Sequence, residues 1–252
     1  MPKYNDLFAK IYDKDYTIFA KKLAPIIYTF YQKQAISEKQ KNLLDLGCGT
    51  GQFANYFLKK GFQVVGIDVS PAMLTYARKN NQEFITKNQA TFIEGDMTNF
   101  SLKEQFGLAT ATFDVMNHLP SKKALSNCLS TTFKHITKGG MFIFDINTRR
   151  KLLYEWDDMI IKDTEEYMQI QKKFVPEKTN KIHVKITGFI KNQNGLYQRF
   201  DEYLYNYYYS LVEVKKIIYD AGWKKVWYAD KNDLSTPLTK PEREGRVYVI
   251  AQ

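Results

Sequence analysis

The stretch "NLLDLGCGTGQFA", Asn42 to Ala54, runs from an apolar segment into what reads as the start of a helix, with Gly47, Gly49 and Gly51 packed into the bend between them. A glycine-rich bend of this kind has two uses. It can simply turn the chain, or it can bring backbone N–H groups and the positive end of a helix dipole against a nucleotide-like ligand. The dinucleotide fingerprint G-x-G-x-x-G is not met, because Gln52 stands where its third glycine is due. That spacing argues against NAD.

Around the bend the apolar period identifies the elements. Residues 4–34 carry apolar side chains at spacings of three and four and read as helical, with Pro25 expected to divide or kink them. "GQFANYFLKKG" is a helix closed by Gly61, and "QVVGIDVS" is a β-branched strand. "SPAMLTYARKN" is a helix with Ser70 as N-cap and Pro71 at its first position. "ATFIEGDM" and "LATATF" are strands, "SKKALSNCLSTTFKHITKGG" is a helix ending at Gly139-Gly140, and "MFIFDIN" is a fifth strand. This alternation predicts an α/β fold with a doubly wound, seven-stranded, mostly parallel sheet.

The alternation breaks over 150–209. "EEYMQIQKKFV", "KIHVKITGFIK" and "LYQRFDEYLYNYYY", with Asn194-Gly195 as a hairpin turn, read as an inserted antiparallel sheet. The α/β pattern then resumes with "SLVEVKKIIYDAG", where Ser210 and Glu213 have capping-box spacing, and with the strands "KKVWYAD" and "RVYVIAQ". The expected organisation is a helical cap (1–40), a ligand-binding core (41–149 and 210–252) and an antiparallel lid (150–209).

Composition excludes several classes. At 252 residues the chain can bury one sizeable core. No apolar run reaches the roughly 18–20 residues of a membrane span, and "MPKYNDLFAKIYDKDY" is no signal peptide. Cys48 and Cys128 have no partners at metal-ligand spacing, so no metal is expected and a reducing, cytoplasmic setting fits. The net charge of +10 is scattered as lysine pairs rather than gathered in a run. It therefore reads as a solvated surface before it reads as a nucleic-acid patch.

Four acidic residues fall along one sheet edge: Asp45 before the glycine bend, Asp68 at the end of the second strand, Asp96 after the third and Asp114 after the fourth. Open α/β sheets bind ligands at that carboxyl edge, and a carboxylate in the position of Asp68 can accept both hydroxyls of a ribose. With "LDLGCGTG", "GIDVSPAML", "EGDM", "FDVMNHL" and "GGMFIFDIN" in this order, the chain resembles the class I S-adenosylmethionine-dependent methyltransferases over nearly its whole length. The resemblance implies that the backbone of Gly47, Cys48, Gly49 and Gly51 holds the amino-acid part of S-adenosylmethionine, with Asp45 at its methionine end. It implies that Asp68 and Val69 meet the ribose, that Met73 packs near the adenine, and that Asp96 and Met97 bond and cover the base. Asp114 completes the set.

The opening "YNDLFAKIYDKDY" and the insert narrow the match to a small-molecule branch, similar to glycine/sarcosine and amino-sugar N-methyltransferases. In that branch Tyr4 and Tyr12 would touch cofactor or acceptor; the alternative is that they are core aromatics. No [N/D]-P-P-[Y/F] box follows strand four, which tells against base methylation. If the acceptor is an ammonium, a base must take its proton, and His118 is the one histidine on the expected active edge; a pocket-shaping or capping role is the alternative. His135 and His183 read as structural. Arg246 opens the last strand, which runs antiparallel in this fold, so it should face the acceptor mouth and either clamp an anion or form an internal ion pair. In the insert's third strand, Tyr197, Arg199, Asp201, Tyr203, Tyr205, Tyr207 and Tyr209 share one face, expected to be buried on the core or in the interface of a homodimer.

The expected function is methyl transfer from S-adenosylmethionine to a small-molecule acceptor, nitrogen before oxygen, without membrane or nucleic-acid partners. Methylation of structured RNA and a non-catalytic cofactor-binding regulator stand as alternatives.

Overall fold

The computed structural model describes residues 4–177 and 179–252. Its centre is one sheet built from β1 (Asn42–Leu46), β2 (Gln63–Asp68), β3 (Ala90–Glu94), β4 (Phe106–Ala111), β5 (Ile136–Asn147), β10 (Val226–Ala229) and β11 (Arg246–Ala251), in the order β10-β11-β5-β4-β1-β2-β3. Only β11 is reversed: it pairs antiparallel with both β5 and β10, whereas β1, β2, β3, β4 and β5 run parallel. The sheet is the expected doubly wound, seven-stranded one. Its strands are short apolar runs because both faces are covered.

One face carries α3 (Gln52–Lys59), α2 (Thr17–Gln32), α4 (Pro71–Asn80) and α5 (Gln82–Thr86), with Ile27, Phe57, Phe62 and Tyr31 at the centre of their cluster. The other carries α6 (Lys122–Lys134) and α7 (Leu211–Asp220), with Trp223, Phe142 and Phe144 in theirs. No helix among the described residues is long and apolar enough to cross a membrane.

Several boundaries differ from those expected. The N-terminal helical stretch divides at Tyr16, between α1 (Asp6–Asp15) and α2, and α2 runs through Pro25. α6 ends at Lys134, not at the glycine pair: the ring of His135 accepts from Leu102 N–H through Nε2 and donates to Thr131 O through Nδ1, closing the helix early. Gly139-Gly140 belongs instead to β5, where the register with β4 slips between the Phe106–Ile136 and Leu108–Met141 pairs. Ser210 caps α7 without a side-chain bond. Its role passes to Glu242, which accepts from Leu211 N–H at 2.9 Å, while Glu213 pairs with Lys122.

The insert is a four-stranded antiparallel sheet of β6 (Met159–Asp163), β7 (Tyr167–Phe174), β8 (Lys181–Lys191) and β9 (Tyr197–Tyr207). Its tyrosine face is divided: Tyr197, Tyr203 and Tyr205 are 57%, 48% and 37% exposed, whereas Tyr209, just past β9, is buried in the core and donates its hydroxyl to Leu119 O. The opposite face of β9 packs inward through Phe200 and Leu204, against Phe8 and Ile11 of α1. The exposed tyrosines are not packed on the core because their hydroxyl ends tolerate water, while Phe200 and Leu204 fill the inner face.

Candidate active site

A cavity of about 300 Å³ opens between the carboxyl edge of the central sheet, α1 and the inner face of the lid. Its floor is the glycine bend. Gly47 has φ +65°, and a Cβ there would lie 2.6 Å from a methyl of Val115, so only glycine fits. The N–H groups of Gly47 and Cys48 donate to Ile67 O, and that of Gly49 donates to Asp68 Oδ2 at 2.9 Å. The bend thus turns its donors onto β2. What it offers a ligand is a backbone surface without side chains, at the N-terminal end of α3.

Asp68 is held at both oxygens, Oδ2 by Gly49 N–H and Oδ1 by Ser70 N–H, each at 2.9 Å. Burial pushes its carboxyl up, and these N–H groups pull against that. Each oxygen keeps a lone pair for a further donor. Val69, Met73 and Asp114 line the same cavity.

Asp45 lies on a smaller recess behind Tyr12 and Phe113, together with Cys48. Its Oδ1 accepts from Thr110 at 2.9 Å, while its buried Oδ2 has no partner among the described residues. Burial raises its carboxyl to about 7. Three expected residues stand apart: Asp96 is exposed and closes its own turn onto Thr98 N–H, Met97 is buried in the core, and Gly51 faces Ala77 and Asn81.

Tyr4 and Tyr12 do reach the cavity, as part of a stripe that includes Phe8 and Tyr16. Tyr12 and Tyr16 stack at 4.7 Å and 5°, and the Tyr12 ring lies 3.5 Å from the Cβ position of Gly49. The signal for the missed pair was an aromatic at every fourth residue from 4 to 16, one face of a helix.

His118 ends a 3₁₀ turn, Val115–His118, after β4. Its Nδ1 lies 2.8 Å from the carbonyl of Tyr205 in the lid, and its ring lines the cavity. Next to it, the fully buried Asn117 ties β5 to β9: its Nδ2 donates to Asn147 O and Tyr207 O, and its Oδ1 accepts from Asn147 N–H. No local sequence pattern announces this role of Asn117.

Arg246 stands at the sheet edge opposite Asn147 and takes the internal ion pair rather than an open clamp. Its Nη1 meets Asp145 at 2.7 Å, its Nη2 meets Asp114 at 3.1 Å, and its Nε donates to Asn147 Oδ1. Burial lowers its guanidinium while the two carboxylates raise it, and the carboxylates prevail. The rings of Phe19 and Phe113 lie 5.0 and 5.9 Å from it.

The remaining wall is the segment 151–157, which contributes Lys151, Glu155, Trp156 and Asp157. A π turn over Lys151–Glu155 shapes it, a conformation that sequence periodicity does not announce.

A methyltransferase-domain family matches residues 43–140, from β1 through the glycine bend to the start of β5. The domain over residues 43–140 and the fold of the whole chain are those of S-adenosylmethionine-dependent methyltransferases. A putative methyltransferase of Geobacillus is 27% identical over 193 residues, 76% of this chain and 77% of that one. The dTDP-3-amino-3,4,6-trideoxy-alpha-D-glucopyranose N,N-dimethyltransferase of Streptomyces venezuelae is 28% identical over 140 residues, 56% and 54% of the two chains. In fold, this methyltransferase is similar to an S-adenosylmethionine-dependent methyltransferase of Clostridium acetobutylicum, with TM-score 0.78, 22% identity and 97% of both chains covered. The residues fit the methyl donor of the class: a side-chain-free bend, a carboxylate with two open lone pairs, and an orphaned buried carboxylate oxygen suited to an ammonium.

Proposed function

We propose that this methyltransferase acts on the nitrogen of a small amine, with His118 as the base that frees the nucleophile. The carrying observation is the bond from His118 Nδ1 to the Tyr205 carbonyl. A carbonyl only accepts, so the ring proton sits on Nδ1 and Nε2 keeps its lone pair. Nε2 makes no hydrogen bond among the described residues, on a ring that lines the cavity.

S-adenosylmethionine supplies a methyl group already activated on a sulfonium, so the protein's tasks are alignment, exclusion of water and deprotonation. In this reading Asp68 takes the ribose hydroxyls, Asp45 the methionine ammonium, and Met73 and Val69 the adenosine. Tyr4 and Tyr12 close over the bound cofactor from α1. An amine enters as an ammonium, gives its proton to His118 Nε2, and attacks with the freed lone pair.

The charge of the wall supports an amine. Asp68, Asp114 and Asp157 line the cavity against Lys151 and Arg246, with Glu155 paired to Arg150, an excess of one carboxylate in a chain of net +10. Such a lining favours a cation over a phosphate backbone. That counts against RNA as the acceptor.

The S. venezuelae relative is named for an amino sugar, so amino sugars and their nucleotides come first in a panel with simple amines, amino acids and hydroxyl analogues. Labelled S-adenosylmethionine should transfer its methyl to one or more amines. Transfer only to hydroxyl or thiol compounds would reject the amine reading.

A further inference from the structure

Asp145 is a fully buried carboxylate in the buried second half of β5, which demands an explanation in its partners. Its Oδ1 accepts from Phe113 N–H at 2.6 Å, and its Oδ2 accepts from Asp114 N–H at 3.0 Å and from Arg246 Nη1 at 2.7 Å. Phe113 and Asp114 have φ of +70° and +53°, consecutive left-handed residues of which neither is glycine. Strain of this kind persists only where the surroundings over-determine it. Here two successive amides converge on one anion, as in a backbone nest.

The turn so held presents Asp114 to the cavity. Asp114 Oδ1 takes Arg246 Nη2 at 3.1 Å, while Oδ2 makes no hydrogen bond among the described residues. Two carboxylates around one guanidinium leave this end of the cavity with one negative charge. Arg246, roofed by Phe19 and Phe113, presents no free cation.

We propose that Asp145 is the positioning residue that makes the site selective for a positively charged acceptor. It fixes the Phe113–Asp114 turn so that Asp114 Oδ2 faces the acceptor's ammonium, and with Asp114 it outweighs the charge of Arg246. Asp114 is thereby assigned to the acceptor rather than to the cofactor. The inference rests on the amine reading above.

The test is Asp145→Asn, beside Asp114→Asn, using an amine methylated in the panel and its hydroxyl analogue. In Asp145→Asn the amides of Phe113 and Asp114 should exchange with deuterium at least tenfold faster. The acceptor KM should rise tenfold or more with a smaller fall in kcat, the preference for amine over hydroxyl analogue should shrink, and the Kd for S-adenosylhomocysteine should stay within threefold. Asp114→Asn keeps the nest, so it should raise KM without faster exchange; it carries the charge argument should Asp145→Asn fail to fold. Unchanged exchange, an unchanged acceptor KM, or an equal loss of cofactor affinity would overturn the proposal while amine turnover by the wild type stands. A wild type that methylates no amine removes the reading beneath it instead.

Discussion

The carbonyl of Tyr205, on the lid, holds Nδ1 of His118, on the core, at 2.8 Å. The lid therefore does more than roof the cavity: it selects the tautomer whose free nitrogen can accept a proton. If His118 is the base, His118→Ala or His118→Asn should lower kcat by about 10²–10⁴ with little change in cofactor affinity. Steady-state turnover beside calorimetry decides it, and near-normal turnover retires the assignment.

Asp68 predicts a cofactor effect with little acceptor effect. Its carboxylate bridges Gly49 and Ser70 and keeps one lone pair on each oxygen. Asp68→Ala should weaken binding of S-adenosylhomocysteine by roughly 10- to 100-fold, since a hydrogen bond to a charged group is worth about 1.5–3 kcal/mol. Calorimetry measures it directly, and unchanged affinity would exclude the ribose role.

The parts legible in the sequence share a cause. β1, β2, β4 and β5 were visible because strands buried on both faces must be apolar, and the glycine bend because Gly47 leaves no room for a Cβ. Arg246 was placed at the cavity because the last strand is antiparallel, a property of topology. What escaped depends on partners distant in sequence. Nothing local in "MFIFDIN" gives Asp145 a role, because its partners are the amides at 113–114 and a guanidinium 101 positions away. Gly139-Gly140 looked like a helix stop, but the ring of His135 had already closed that helix by bonding Leu102. A carboxylate alone in an apolar strand was the one local cue for Asp145, since a buried charge requires partners.

Gly47 and Gly61 separate two effects of a left-handed glycine. Both have positive φ, +65° and +81°, but a Cβ at Gly47 meets Val115 at 2.6 Å, whereas at Gly61 nothing lies within 4 Å. Gly61→Ala should cost about 1–2 kcal/mol from backbone conformation alone. Gly47→Ala should lower the melting temperature further and also weaken cofactor binding, because Val115 lines the cavity. Equal melting temperatures for the two variants would mean that the loop relaxes freely.

Lys173 predicts how the acceptor wall is held. Its side chain is 3% exposed, its Nζ donates to the carbonyls of Trp156 and Leu153, and it pairs with Asp158 at 3.1 Å. Removing it leaves those carbonyls without a donor, at about 1–3 kcal/mol for a buried unsatisfied group. Lys173→Met should melt at lower temperature, and trypsin should cut faster after Lys151. Unaltered cleavage would show that the wall is fixed by other contacts.

Asp45 gives cofactor binding a pH dependence of definite sign. Burial raises its carboxyl from 3.8 to about 7, so below that pH the ligand-free protein holds a proton there. Because the group binds its proton more tightly folded than unfolded, its contribution to stability falls as pH rises from about 4 to 7. An ammonium beside the orphaned Oδ2 requires the carboxylate, so binding must expel the proton. Calorimetry at pH 6 in buffers of different ionisation enthalpy should therefore find close to one proton released per cofactor bound, and the release should fade as the pH passes 7. Affinity should weaken about tenfold for each pH unit below 7. Asp45→Asn should bind weakly at every pH and release no proton; release that survives in Asp45→Asn would place the titrating group elsewhere.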